Sequence, residues 1–268
     1  MIKIRDRPWL INKLLDDNLL IEDGKIFWDR RVDRYWLIVT IDHPVVPKDP
    51  DRQPRVVAND PGTRSFCKTY AVDGTNCELL EGAMDKMRKK DQKIAKIQSY
   101  MDKEKAQRQA DRDAKLEVTP PGKHRRRMKN MQARQHKIAH QLRGFRHHAH
   151  YDAINFLFKE YDWVMLPEFG TQRMSRKDKR NIGTESVKDL QRWSHFTFRQ
   201  RLLSKAEMNH NKWVRIVYEP GTSKTCGQCG DWKADLGGAH VYKCGNPSCK
   251  VVLDRDVNGA RNNLMALF

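Results

Sequence analysis

Alternating and helical periodicities divide this chain into a β-rich front, a long charged helical middle and a mixed back half. KIFWDRR and RYWLIVTID are strand-like pieces separated by turn residues, and the proline-rich PVVPKDPDRQP closes them off. They predict part of a small β unit and a linker over residues 1–54. RVVANDPG follows, a short apolar run stopped by Pro61 and Gly62, as expected of a buried strand entering a tight turn. SFCKTYAV and TNCELL flank Asp73-Gly74, a hairpin signal, so three successive antiparallel strands are predicted for residues 55–80.

Between Met84 and Tyr161 the pattern turns helical, with one break at VTPPG (118–122), where two prolines and a glycine interrupt it. Met84, Met87, Ile94, Ile97 and Met101 form an apolar seam on the first arm. Met128, Met131, Ile138, Leu142, Phe145 and Ala149 form one on the second, with Gln135 in the vacant place. An antiparallel helical hairpin over 84–161 satisfies both. DWVMLPEFG then predicts a buried strand stopped by Pro167, and TQRMSRKDKRNIGTES, polar and without period, a loop. WSHFTFRQRLLSKAEM places Trp193, Phe196, Leu203 and Ala206 on one helical face, with core packing preferred over base stacking for Trp193 and Phe196. KWVRIVYEP is another strand. Val257, Ala260, Leu264 and Leu267 mark a terminal amphipathic helix.

Composition narrows the class. The 268 residues carry 52 Lys and Arg against 34 Asp and Glu, a formal charge of +18, which calls for a polyanionic partner. Nucleic acid leads, because each neutralised phosphate releases counterions whatever the base sequence. No apolar run is long enough to span a bilayer and no signal peptide opens the chain, so a soluble, intracellular protein is expected. The basic face of the helical arms, including GKHRRRMKN, suits either a solvated surface or nucleic acid; the same run is a weak nuclear address. His136, His140, His147, His148 and His150 lack an acid or cysteine to complete a metal site and are read as solvated or RNA-facing.

Six cysteines in a reducing compartment point to metal rather than disulfides. Cys67 and Cys77 lie apart and read as buried small hydrophobes. Cys226-x2-Cys229 and Cys244-x4-Cys249, fourteen residues apart, match a four-thiolate zinc site. Four thiolates leave no open coordination position, so this zinc is expected to be structural and catalysis to lie elsewhere. Three acids offer it: Asp60 ends the first strand of the meander, Glu168 ends the strand after the hairpin, and Asp256 lies in the first turn of the terminal helix. If the two strands are parallel neighbours, both acids emerge at one sheet edge, where the helix can bring the third. Carboxylates so gathered suit magnesium or manganese, and two such ions can hydrolyse a phosphodiester. Asp256 sits at the edge of the apolar stripe, whereas Asp254 suits the helix cap.

ANDPG, MLPEFG, TSKTCGQCG and LDRDVNGARN, in that order, resemble the RuvC-like nucleases of the transposon-encoded TnpB group, above all their relatives called Fanzor. The likeness is firm from Arg55 onward and looser before it. It implies an α/β, RNase H-like (RuvC) mixed sheet over residues 55–268, with the helical hairpin 84–161 and a zinc ribbon 222–252 inserted, and a partial wedge-like β unit in front. It further implies RNA-guided cleavage of DNA with magnesium, guide RNA and target DNA as partners, Asp60, Glu168 and Asp256 as catalytic metal ligands, and a mobile lid over 171–188. The zinc ligands fall on Cys226, Cys229, Cys244 and Cys249, and the ribbon is expected to act as a rigid clip fixing where the terminal helix starts. Only 59 residues precede Asp60, fewer than the family usually carries, so the chain reads as a minimal or truncated member. Two other readings stand beside the nuclease. One is a truncated or domesticated nucleic-acid-binding relative that cleaves little; the other is a zinc-ribbon transcription factor, which would have no use for Asp60 and Glu168.

Overall fold

A computed structural model describes residues 21–41, 45–116, 120–178, 182–218, 221–237 and 239–266. The first twenty residues of the expected β unit, part of the VTPPG break and Leu267 of the terminal stripe lie outside the described residues. The backbone falls into two compact units, residues 1–45 with 92–141 and residues 46–91 with 142–268.

In the first unit β1 (Ile21–Asp29) and β2 (Arg34–Ile41) pair antiparallel, as the two strand-like runs predict. Asp33 makes the turn at φ 50° and accepts a 3.1 Å hydrogen bond from the Trp28 indole, whose ring stacks on Tyr35. The unit also holds the outer parts of two long helices, α1 (Ala83–Asp113) and α2 (Pro121–Glu160). They run antiparallel, because Gln135 donates to Gln98 at 2.9 Å while Arg127 pairs with Glu104 at 3.3 Å. Gln98 therefore explains the polar residue in the second seam: Gln135 keeps its place by bonding the opposite arm. Most seam residues here are half-buried, since a two-helix hairpin covers each stripe from one side only.

The second unit is built on a five-stranded sheet in the order β5-β4-β3-β6-β7. β3 (Val56–Pro61), β4 (Cys67–Ala71) and β5 (Asn76–Leu79) form the expected antiparallel meander. β6 (Trp163–Pro167) and β7 (Trp213–Val217) add parallel strands on the far side of β3. A central strand with antiparallel neighbours on one side and parallel ones on the other is the mixed RNase H-like sheet that the resemblance implies. Val57, Ala58, Val164 and Met165 are wholly buried, which is why these strands read as continuous apolar runs rather than alternating ones.

Asp162 fixes the entry edge of the three parallel strands. It accepts from Arg52, from the Arg55 backbone amide at 3.0 Å and from Lys212 at 2.9 Å, placing one buried carboxylate between the starts of β3, β6 and β7. Burial would push its pKa up, but these donors outweigh it and hold the group down at about 2.

Four further helices complete the unit: α3 (Thr171–Ser175), α4 (Thr184–Trp193), α5 (His195–Glu207) and α6 (Arg255–Met265). Two sequence expectations fail here. The stretch after Phe169 is not all loop, since α3 and the start of α4 fall inside it. WSHFTFRQRLLSKAEM is not one helix either, because Ser194 adopts the left-handed conformation (φ 52°) and separates α4 from α5. That turn resets the helical phase. Trp193, His195, Phe198, Leu202 and Ala206 are buried, whereas Phe196 is 59% exposed and does not pack in the core. α4 is anchored to the first turns of α1 through Asp189, which pairs with Arg88 and Arg192, and through Arg192 to Asp91. Among the described residues no helix is long and apolar enough to cross a membrane.

His150 also departs from the solvated reading. It is buried, stacked on Phe66, and fixed as a neutral ring: Nε2 donates to the Trp193 carbonyl at 2.8 Å and Nδ1 accepts from Arg201 at 3.0 Å. Burial lowers its pKa to about 4, and does the same for His195, whose Nε2 donates to the Gly62 carbonyl at 2.9 Å.

Two predictions follow from these buried groups. Both histidines titrate lower in the folded than in the unfolded chain, which therefore binds more protons between the two pKa values. Stability is held above about pH 6.5 and lost as pH falls toward 4. The melting temperature should drop between pH 7 and 5, and less steeply in a His150→Gln, His195→Gln double variant; equal slopes would contradict the assignment. Asp162→Ala strands Lys212 in a buried position and should cost about 3–5 kcal/mol in denaturant unfolding.

Candidate functional site

The cysteine cluster is the best-defined chemical feature. Cys226 and Cys229 lie on a turn after β7, and Cys244 and Cys249 flank the loop between β8 (Val241–Lys243) and β9 (Val252–Asp254), a small antiparallel hairpin. Each sulfur lies within 4.8 Å of the others, with Cys229 to Cys244 at 3.6 Å and Cys226 to Cys249 at 3.9 Å. A tetrahedral zinc with Zn–S bonds of about 2.3 Å requires sulfurs about 3.8 Å apart. The thiolate cage fits zinc as it stands. The Asn246 amide points at Cys244 Sγ from 3.4 Å, the kind of donor that stabilises a thiolate. Gly230 takes φ 78° to return its amide to the Cys226 carbonyl at 2.8 Å, so this knuckle needs glycine there.

The ribbon is bonded to α6 rather than merely adjacent to it in sequence. Asn258, wholly buried, accepts from the Gly227 amide at 2.9 Å and donates to the Thr225 carbonyl at 2.7 Å. Asn262, one turn on, donates to the Thr222 and Thr225 carbonyls at 2.6 and 2.8 Å. A Cβ on Gly227 would meet Arg261, Asn258 and Asn262 at 3.0–3.1 Å, so helix and knuckle are in close contact. Asp254 caps α6 by accepting from the Asp256 and Val257 amides, as expected, which leaves Asp256 free of the capping role.

The same helix reaches the sheet. Asn263 donates to the Asn59 carbonyl at 2.8 Å, and Leu264 packs with Ala58, Met165 and Val217. Residues two apart on a strand share a face, so Asp60 projects with Ala58 toward α6. Gly259 meets it there: a Cβ at this position would overlap the Asp60 carboxylate. Asn59 points the other way, donating to the Met165 carbonyl at 3.1 Å and holding β3 to β6 beside the acid.

Glu168 follows the last residue of β6, and its amide is held by the Val217 carbonyl at 3.1 Å. Asp60 and Glu168 thus leave neighbouring parallel strands at the same edge, and both line one cavity of about 290 Å³ together with Phe169, Tyr218, Thr222 and Ser223. Asp256 lies one turn before Gly259 on α6, with Ser65 Oγ at 3.5 Å from its carboxylate. Burial, and then the charge of Asp254, raise its pKa. Burial likewise raises the Cys67 thiol well above its usual range, with further contributions from Asp60 and Asp256. Among the described residues the cysteines are the group with ligand atoms all within 4.8 Å; the three carboxylates are not gathered that tightly. Their oxygens and the cavity that Asp60 and Glu168 line fit hard divalent cations.

Sequence reading overlooked the α6 asparagines, Asn59, Gly259 and His195. A signal existed for the first: VNGARNN puts asparagines where an amphipathic helix would carry apolar residues. Buried amides in a docking face satisfy backbone carbonyls that leucines would strand.

Two tests address this geometry. Gly259→Ala should displace Asp60 or α6 and lower the melting temperature by several degrees, whereas Gly122→Ala, open around its Cβ, should not. Stripping zinc with a chelator should weaken amide-exchange protection in α6 as well as in the ribbon; loss confined to the ribbon would contradict the asparagine dock.

Residues 195–263 match the family described as Cas12f1-like, TNB domain. The putative transposase A625R of Paramecium bursaria Chlorella virus 1 is 38% identical over 134 residues, covering 47% of this chain and 29% of that protein. TnpB-like protein L79 of Acanthamoeba polyphaga mimivirus is 28% identical over 208 residues, covering 76% and 36%. In fold, the chain matches a protein solved as a Cas12f1-sgRNA-target DNA complex with a TM-score of 0.60 at 16% identity, over 97% of this chain and 48% of that one. The chain thus spans about a third of the length of these curated relatives and about half of the solved one. In sequence the chain is similar to TnpB-like proteins, as its own motifs led us to expect, and in fold it is similar to Cas12f1.

Proposed function

We propose that the chain is an RNA-guided, divalent-metal-dependent DNA endonuclease of transposon origin, with motifs that resemble those of the Fanzor proteins. The observation that carries this reading is the placement of Asp60 and Glu168 at the ends of adjacent parallel strands in one cavity, with α6 holding Asp256 on the same side of the sheet. Asp60, Glu168 and Asp256 would hold magnesium or manganese. When bound, such ions supply an activated water and charge stabilisation at a phosphodiester.

The remaining work belongs to the chain's own residues. Asn59 and Asn263 fix the strand end and the helix that carry Asp60 and Asp256. Thr222 and Ser223 offer hydroxyls in the cavity beside Glu168. The excess of 52 basic over 34 acidic residues supplies a backbone-reading surface for guide RNA and for the RNA–DNA hybrid, where base pairing selects the sequence. Zinc on Cys226, Cys229, Cys244 and Cys249 would be structural, holding the knuckle on which α6 docks.

The test is to copurify the protein with its RNA and incubate it with magnesium and DNA matched to that RNA. Cleavage is expected, with loss of at least 100-fold in Asp60→Ala or Glu168→Ala while RNA stays bound. RNA retained by the unmutated protein with the DNA left intact would overturn the nuclease and favour a binding protein.

A further inference from the structure

His195 touches both turns that carry the candidate acids of the sheet. It opens α5 directly after the left-handed Ser194, which aims its ring back across the end of the sheet. Its Nε2 donates to the carbonyl of Gly62, two residues after Asp60, at 2.9 Å. Phe169, the residue after Glu168, meets the same ring edge-on with centroids 5.0 Å apart. Phe66 stacks on it at 5.2 Å and 8°. A filler residue would contact one turn through shape alone; this one bonds one turn and packs the other.

The Gly62 turn is held with unusual redundancy. The Trp193 indole donates to the Thr63 carbonyl at 3.1 Å, and the Gly62 amide donates to the Phe66 carbonyl at 3.2 Å. Ser65 of the same turn faces the Asp256 carboxylate. One short turn therefore follows Asp60, touches Asp256 and, through His195, meets the residue beside Glu168. Only 6% of His195 is exposed, so the ring has little room to adopt another pose.

We infer that His195 is a positioning residue for the divalent-metal site: its ring sets the spacing between the turn that follows Asp60 and the turn that follows Glu168. The inference rests on the metal-site reading given above. It makes no use of proton transfer by His195. Outer contacts of this kind change metal affinity by about 10–100-fold in well-defined sites.

The test uses the full chain with Mn2+ alone, without nucleic acid, followed by electron paramagnetic resonance. His195→Phe keeps the ring and loses the Gly62 bond, whereas His195→Gln keeps a donor at about the same reach and loses the ring. Leu202→Ala, a buried residue of the same helix, serves as a purely structural control. Mn2+ affinity should fall about 10-fold or more in His195→Phe and recover in part in His195→Gln, and it should be unchanged in Leu202→Ala despite a lowered melting temperature. Equal Mn2+ affinity in folded His195→Phe and in the unmutated chain overturns the inference but leaves the metal site intact. Affinity tracking melting temperature across all three variants reduces His195 to core packing. If Asp60→Ala binds Mn2+ as well as the unmutated chain, the metal-site reading itself fails.

Discussion

The docking of α6 is the constraint on which the rest of this structure depends. Asn258 and Asn262 bond the cysteine knuckle, Asn263 bonds the backbone of β3 at Asn59, and Gly259 between them lets the helix settle against Asp60. A leucine-lined helix would gain more from the hydrophobic effect but would leave the carbonyls of Thr222, Thr225 and Asn59 without partners. Buried unmet carbonyls cost about 1–3 kcal/mol each. The asparagines also remove slack, because hydrogen bonds fix rotation and register where apolar contact tolerates sliding. The expectation of the ribbon as a clip is thereby given a physical form: the knuckle does not merely precede the helix, it is bonded along two of its turns.

Much of this was legible in the sequence because it rests on short-range rules. The meander from Val56 to Leu79 follows from apolar runs around Asp73-Gly74, the helical arms from their seams, and the thiolate cage from ligand spacing. What was hidden depends on the backbone's exact path. A helical wheel cannot anticipate that Ser194 takes a left-handed turn, and so Phe196 was assigned to the core that Phe198 and Leu202 fill. His150 was grouped with its polar neighbours, although its place on α2 buries it under Phe66 and Trp193. The candidate acids were readable as strand and helix ends, yet nothing in the sequence specified Gly259 or His195 as the residues packed around them.

Charge is distributed by a consistent logic. The two buried histidines are kept neutral by burial, with carbonyl partners fixing which ring nitrogen carries the proton, and Asp162 is kept ionised by Arg52, Lys212 and a backbone amide at the opposite edge of the sheet from the cavity. Asp256, by contrast, is half-buried beside another acid, so its surroundings push its pKa up. The contrast separates a carboxylate whose partners are already in place from one whose surroundings raise the cost of its charge.

The most direct measurement is the anomalous scattering of crystals soaked in manganese. The account predicts manganese held among Asp60, Glu168 and Asp256, and a separate zinc signal among the four cysteines. Manganese bound elsewhere, or Asp256 turned away from it while α6 stays docked, would contradict it.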